Sequence, residues 1–363
     1  MFVQDKRACY VHIPFCERKC AYCDFNSYSG YTSSLVERYV NALEREIVET
    51  VDPQPIDTIF FGGGTPTAIP AEQVARLLRS VLRTFPHSDS IEITTEANPG
   101  SSDVAGLSIL REAGFNRISF GVQAFDDLLL KKLDRIHSAK EALAAIEAAR
   151  IAGFENISID LMFGLPEQTV EQWKFTLDTG LALRVQHISL YNLIVEDGTG
   201  FATLASKGRL QLPDNDTMAT MYQLAIDGAQ KAGMNQYEIS NFASPGRECG
   251  HNIHYWQNDE YYGFGAGAVA YLGGVRRTNR KRPIGYCKAV ELGEDLSEEV
   301  DRSPLETRMS ETMMLGLRMT RSGVSYSRFF EHYSEDLRER WSREIEKFSG
   351  YGLLDVMEDR IRL

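Results

Sequence analysis

Three cysteines, Cys16, Cys20 and Cys23, lie in the stretch HIPFCERKCAYCDF with three and then two residues between them. Thiolates hold iron–sulfur clusters, and three of them on a four-iron cluster leave one iron open to a small molecule. A cluster that takes part in chemistry needs such an iron, and the tight spacing puts all three sulfurs in one loop. Two other readings fit the same residues: a zinc knuckle completed by His12 or Asp24, and a group of structural thiols. Zinc usually takes two separated ligand pairs, and no second pair stands nearby. The spacing therefore predicts a 4Fe–4S cluster on Cys16, Cys20 and Cys23.

The elements that must carry this loop show in the periodicity. From residue 8 to about 195, short β-branched runs alternate with amphipathic stretches of helical period, the pattern of βα units around a parallel sheet. The predicted strands are ACYVHIPF, IDTIFFG, SIEITTE, RISFGVQ, NISIDLMFG and HISLYNL. Helices between them include SSLVERYVNALEREIVETV, with a stripe of Val36, Tyr39, Val40, Leu43 and Ile47, and PAEQVARLLRSVLRTF, opened by Pro70. The fold class is α/β, a partial (β/α)6 TIM-type barrel of roughly three-quarters the full eight units.

Successive strand side chains point to opposite faces. Tyr10 and His12 thus oppose Cys9, Val11 and Ile13, while Glu92, Thr94 and Glu96 oppose Ile91 and Ile93. Ser119, Gly121 and Gln123 oppose Ile118, Phe120 and Val122; Ser158, Asp160 and Met162 oppose Ile157, Ile159, Leu161 and Phe163. The oily face meets the helices, which leaves the polar face lining the barrel with room for a polar ligand. Because barrel chemistry sits at the C-terminal ends of the strands, Glu96, Gln123 and Asp160 are candidate ligand contacts.

With 363 residues and 43% hydrophobic content, the chain supports one large core and a smaller appended unit. The expected division is a barrel over 1–235, a connecting segment of loops and short strands over 236–300, and a mainly helical domain over 301–363 that ends in a short β-ribbon. The remaining cysteines, at 9, 249 and 287, complete no disulfide framework, and no charged-then-apolar leader opens the chain, so a cytoplasmic location is expected. No apolar run approaches the ~20 residues that cross a bilayer, and CxxCH is absent, so any haem is expected to be held non-covalently. A net charge of −12 argues against a nucleic-acid partner. One local exception is VRRTNRKRP, where Arg276, Arg277, Arg280, Lys281 and Arg282 suit carboxylates or anionic lipid heads, or else form a solvated hairpin tip.

Gly62, Gly63 and Gly64 close the second strand in FFGGGTPT, where missing side chains let backbone groups approach a ligand. The run lacks the GK[ST] ending of a P-loop. Taken together, YVHIPFC, CAYCDF, FFGGGTPT, GVQAF, IDLMFGLP, HNIHYW and YGFGAGA resemble the coproporphyrinogen dehydrogenase-like family of radical S-adenosylmethionine (SAM) proteins over nearly the whole chain. Within it the chain resembles most the HemW haem-chaperone branch. The resemblance implies that Cys16, Cys20 and Cys23 bind the cluster, with Tyr22 beside the SAM adenine. It implies further that Tyr10, Gly63, Gly64, Thr65, Glu96, Gln123, Arg135 and Asp160 surround SAM. Four of these, Tyr10, Glu96, Gln123 and Asp160, are also polar-face positions by alternation alone.

Departures from the family's enzymes bear on function. Those enzymes carry a further cysteine two positions after the third ligand, where this chain has Phe25, and an N-terminal arm, where only fifteen residues precede Cys16. HNIHYW matches the HNxxYW motif associated with haem in the chaperone branch, which makes His251 a candidate haem contact beside Asn252, Tyr255 and Trp256, with His254 a nearby competitor. The expected function is a haem chaperone that binds a 4Fe–4S cluster, SAM and haem, and passes haem to cytoplasmic or membrane-bound haem proteins such as respiratory ones. The alternative is an oxygen-independent coproporphyrinogen III dehydrogenase that forms protoporphyrinogen IX.

Overall fold

The computed structural model describes residues 7–363. Six parallel strands, β1 (Arg7–Ile13), β2 (Ile56–Gly63), β3 (His87–Ala97), β4 (Arg117–Gln123), β5 (Asn156–Phe163) and β6 (His187–Asn192), lie side by side in sequence order. Between them run α1 (Ser33–Val48), α2 (Ala71–Thr84), α3 (Val104–Ala113), α4 (Asp127–Lys132), α5 (Ala139–Ile151) and α6 (Val170–Ala182). α1 starts where the Thr32 hydroxyl accepts the Leu35 N–H, and it buries Val36, Tyr39, Val40, Leu43 and Ile47 against the sheet, the stripe its spacing predicts. Cys9, Val11, Ile13, Ile59, Ile93, Ile118, Phe120 and Ile159 form the other half of that core, so the oily face of each strand is covered by helices.

Residues 236–300 do more than connect. After α7 (Gly200–Ser206) and α8 (Asn215–Lys231), β7 (Asn235–Gln236) and β8 (Asn241–Ala243) extend the sheet beyond β6 in antiparallel pairing. At the opposite edge β9 (Tyr261–Phe264) lies parallel to β1, and β10 (Val269–Leu272), β11 (Val275–Asn279) and β12 (Ser297–Asp301) follow antiparallel. One segment thus extends both edges of the barrel's own sheet. Its strands are short and rich in glycine, and periodicity cannot show which neighbours such strands will find. The segment HNIHYW, expected among loops, is helical: α9 (Gly250–Trp256). α10 (Pro283–Leu292) packs on α1.

The C-terminal unit holds α11 (Leu305–Gly316), α12 (Tyr326–Tyr333), α13 (Leu337–Arg340) and α14 (Ser342–Gly350). A three-stranded sheet of β13 (Val324–Ser325), β15 (Arg360–Arg362) and β14 (Asp355–Val356) completes it, and includes the expected ribbon. Met309, Val324, Phe329, Leu337 and Ile361 form a core apart from that of the barrel. No helix among the described residues is long and apolar enough to cross a membrane.

Candidate cluster and cofactor site

The cysteine loop leaves the C-terminal end of β1 and is pinched at its base. Tyr28 N–H donates to the Pro14 carbonyl at 2.7 Å, and Cys16 N–H to that of Tyr28 at 3.0 Å. Cys23 N–H donates to the Cys20 carbonyl at 3.2 Å, which turns the last two cysteines together. All three thiols are free and partly exposed. Each has a polar neighbour: Thr65 Oγ1 lies 3.6 Å from Cys16 Sγ, Ser27 Oγ 4.0 Å from Cys23 Sγ, and Arg135 Nη1 3.4 Å from Cys20 Sγ. Hydroxyl and guanidinium donors around three loop thiols suit an anionic thiolate cluster. The zinc alternative loses its imidazole. His12 is neutral, its pKa lowered to about 4 by burial, and it donates from Nε2 to the Asn26 carbonyl at 2.8 Å while Nδ1 accepts from the Tyr10 hydroxyl at 3.0 Å.

The glycine run lies directly beneath. At Gly63 φ is +107°, and a Cβ there would fall 2.2 Å from the His12 ring; at Gly64 it would meet the Phe15 carbonyl oxygen at 2.7 Å. Three successive N–H groups are taken: Gly63 donates to Glu96 Oε2 at 3.1 Å, Gly64 to the Ile13 carbonyl at 2.8 Å and Thr65 to that of Phe15 at 2.8 Å. These N–H groups are therefore spent within the fold and offer no site to an anion.

Register assembles the polar face. Ser119 lies opposite both Glu96 and Ser158, and Gly121 opposite Asp160. Ser119 Oγ donates to Asp160 Oδ1 at 3.2 Å. Burial and the charge of Asp160 raise the pKa of Glu96 to about 8, against the pull of the Gly63 N–H. Asp160 is also raised by burial, with Ser189, Ser119, Arg117 and Arg135 acting in the other direction. β4 ends irregularly: the register shifts between Gly121 and Gln123, and Gln123 has φ +67°. A Cβ on Gly121 would touch Gln123 Nε2 at 3.1 Å and Arg135 Nη2 at 3.2 Å, so the missing side chain makes room for both. Arg135 bonds the Gly121 carbonyl as well as Cys20, which ties cluster loop to barrel. Tyr22 packs near Phe201, and its phenol is raised by burial, with Arg135 opposing. Tyr10, Tyr22, Gly63, Gly64, Thr65, Glu96, Gln123, Arg135 and Asp160 thus meet at one barrel mouth.

His251 does not join the surface. It is 1% exposed, with Nδ1 bonded to Thr58 Oγ1 at 3.0 Å and Nε2 to the Tyr255 hydroxyl at 3.1 Å, and its ring stacks on Phe60 at 5.0 Å. Both nitrogens are therefore occupied. The Trp256 ring is covered by the Arg318 guanidinium at 4.4 Å, and Tyr255 packs edge-on to His251 and Tyr261. His254 is held by Asp57 at 2.7 Å and Asp259 at 3.1 Å. HNIHYW is thus a short helix at the barrel floor, with His251 buried and its other residues partly exposed, instead of a loop. The cause is Glu92, whose carboxylate accepts from Gly250 N–H and His251 N–H, both at 3.1 Å, and so starts α9.

Thr58, Phe60, Glu92 and Arg117 are participants that motif reasoning missed. Arg117 is 2% exposed, with Nε and Nη2 unpartnered; burial opposes its charge, but Cys249, Glu92, Tyr237 and Asp160 keep it cationic. Alternation carried the signal for Glu92 and for Arg117, which sits two positions before Ser119.

The chain is similar to several known proteins. The Radical SAM superfamily pattern matches residues 10–179, and the HemN C-terminal domain pattern residues 304–363. A Bacillus subtilis protein curated as "Heme chaperone HemW" is 43% identical over 98% of this chain and 95% of its own length. A Lactococcus lactis protein of the same description is 38% identical over 99% and 94%. Mouse "Radical S-adenosyl methionine domain-containing protein 1, mitochondrial" is 36% identical over 96% and 82%. Among solved structures, coproporphyrinogen III oxidase (HemN) from Escherichia coli superposes with a TM-score of 0.84, covering 99% of this chain and 87% of that one; at 24% identity it speaks for the fold alone.

Proposed function

Because the chain belongs to the radical SAM superfamily and, within it, to the HemW haem-chaperone family, we propose that it is a haem-binding delivery protein. Cys16, Cys20 and Cys23 hold a 4Fe–4S cluster, and SAM lies in the barrel mouth against Tyr10, Tyr22, Gly63, Gly64, Thr65, Glu96, Gln123, Arg135 and Asp160. The cluster supplies an open iron for the methionine end of SAM. Around it Arg135 offsets thiolate charge at Cys20, the glycine run offers carbonyl acceptors to the ammonium, and Asp160 and, once the cationic ligand draws off its proton, Glu96 supply buried negative charge. Haem is cargo, handed to cytoplasmic or membrane-bound haem proteins. The observation that carries the reading is similarity over nearly the full length of proteins curated as heme chaperones, joined to Phe25 where the family's enzymes have a further cysteine.

Anaerobic reconstitution with iron and sulfide, followed by parallel assays of haem binding and coproporphyrinogen III turnover, tests it. The expected result is about four irons per chain, a Soret shift on adding haem, and no protoporphyrinogen IX. In Cys20→Ala the brown absorption disappears. Protoporphyrinogen IX formed together with methionine would make the protein the dehydrogenase instead.

A further inference from the structure

The basic run that begins in β11 and continues past it is not a solvated hairpin tip throughout. Arg276 is bound within the fold, to Glu311 at 2.7 Å and over the Tyr271 ring at 4.6 Å. Arg280, Lys281 and Arg282 instead line an open cleft of about 440 Å³ with Asn26, Tyr28 and Glu298. The cleft is attached to the cluster loop: Asn26 Nδ2 and the Tyr28 hydroxyl both donate to the Lys281 carbonyl, at 3.0 and 3.2 Å. Asn26 is three residues from Cys23, so whatever sits in the cleft lies beside that loop.

Its charge is only partly used. Arg280 pairs with Glu294 at 3.1 Å, and the Glu298 carboxylate is engaged by the Lys281 backbone N–H at 2.8 Å. Among the described residues, the Lys281 ammonium and the Arg282 guanidinium have no ion-pair partner. Two apolar side chains flank this positive cleft in sequence and stand in solvent: Phe25, 60% exposed next to Asn26, and Ile284, 61% exposed in the first turn of α10. Cations in a cleft beside exposed apolar groups match a ligand with carboxylates on one edge of a flat apolar body. A membrane is a poorer fit, because a chain of net charge −12 is repelled by an anionic surface and the cationic area is a single cleft.

We propose that Arg280, Lys281 and Arg282 form the seat for the propionates of haem, with the macrocycle lying toward Phe25 and Ile284. This rests on the chaperone reading and adds the place at which the cargo is held. It also puts the haem beside the cluster loop, whereas His251 is buried against Thr58, Phe60 and Tyr255.

The test uses the full chain with Lys281 and Arg282, both exposed, changed together to glutamine, and with haem and haem dimethyl ester as probes in Soret titrations. The unaltered protein is expected to bind haem about tenfold more tightly than the ester, and Lys281→Gln/Arg282→Gln to bind both equally, at the ester's level. Phe25→Ser should weaken both probes alike. Retention of the full preference for haem in the double variant overturns the seat and leaves the chaperone reading standing. Failure of the unaltered chain to bind haem removes both. Loss of binding to phosphatidylserine vesicles in the double variant, with its preference for haem unchanged, overturns the seat in favour of a lipid surface.

Discussion

Gly63 carries the strictest demand of any single position, since its φ of +107° and the His12 ring, 2.2 Å from where a Cβ would stand, both exclude a side chain. Backbone strain of this kind costs about 1–3 kcal/mol, so Gly63→Ala should lower the denaturation midpoint and weaken SAM binding; an unchanged melt would show that the loop relaxes freely. Glu96 makes a pH prediction. With its pKa raised from 4.5 to about 8, the folded chain keeps a proton that the unfolded chain releases, so its contribution to stability falls as pH rises from about 4.5 through about 8. A cationic ligand beside it draws that proton off, and SAM affinity should therefore rise across the same window and level off above it. Calorimetry at about pH 6.5 and about pH 8.5 measures this, and Glu96→Gln should flatten the dependence. For His251, whose nitrogens are both bonded, His251→Ala should leave the Soret band unchanged. It should still destabilise the fold by about 1–3 kcal/mol, through the stranded Thr58 and Tyr255 hydroxyls. A lost Soret shift with an intact melt would return the ring to the iron.

Among the elements, α1 does more than cover the sheet. Glu46, off its apolar stripe, accepts from Gly265 N–H at 2.8 Å, Asn279 Nδ2 at 2.6 Å and the Tyr286 hydroxyl at 2.6 Å. One carboxylate thus holds the glycine turn after β9, the end of β11 and α10, the elements that frame the basic cleft. Burial raises its pKa, while those three donors oppose the shift. Glu46→Ala strands several buried donors, and amide exchange over 263–290 should speed up while that of β3 to β5 stays slow. Uniformly faster exchange would mean that Glu46 supports the whole barrel instead. In sequence Glu46 is one acidic residue on a solvent-side helix position, because its partners lie more than two hundred residues away.

At the scale of the molecule, the C-terminal unit is fastened to the barrel floor through His254. Its ring joins Asp57 of β2 to Asp259, and Asp259 in turn binds Arg328 of α12. Burial would lower the pKa of His254, but the hydrogen bonds and charges of Asp259 and Asp57 outweigh it and raise the value to about 9. Since the folded value exceeds the unfolded one, this contribution is complete below about pH 6.5 and fades as pH rises through about 9. The thermal midpoint should therefore drop between about pH 8 and about pH 10, and His254→Gln should remove most of that drop. An equal drop in the variant would place the cause in other groups.

Local pattern in the chain was enough to specify the six parallel βα units, the inner and outer faces of their strands, and the grouping of Cys16, Cys20 and Cys23 in one loop. Period two, period 3.6 and short ligand spacing survive without knowledge of any distant partner. Folding was needed to settle that residues 236–300 extend both edges of the sheet, that Glu92 turns HNIHYW into a helix and buries His251, and that Arg280 to Arg282 face the cluster loop. Each depends on a hydrogen bond, ion pair or strand edge supplied from far along the chain, and no pattern within a short window records which partner a polar side chain will meet.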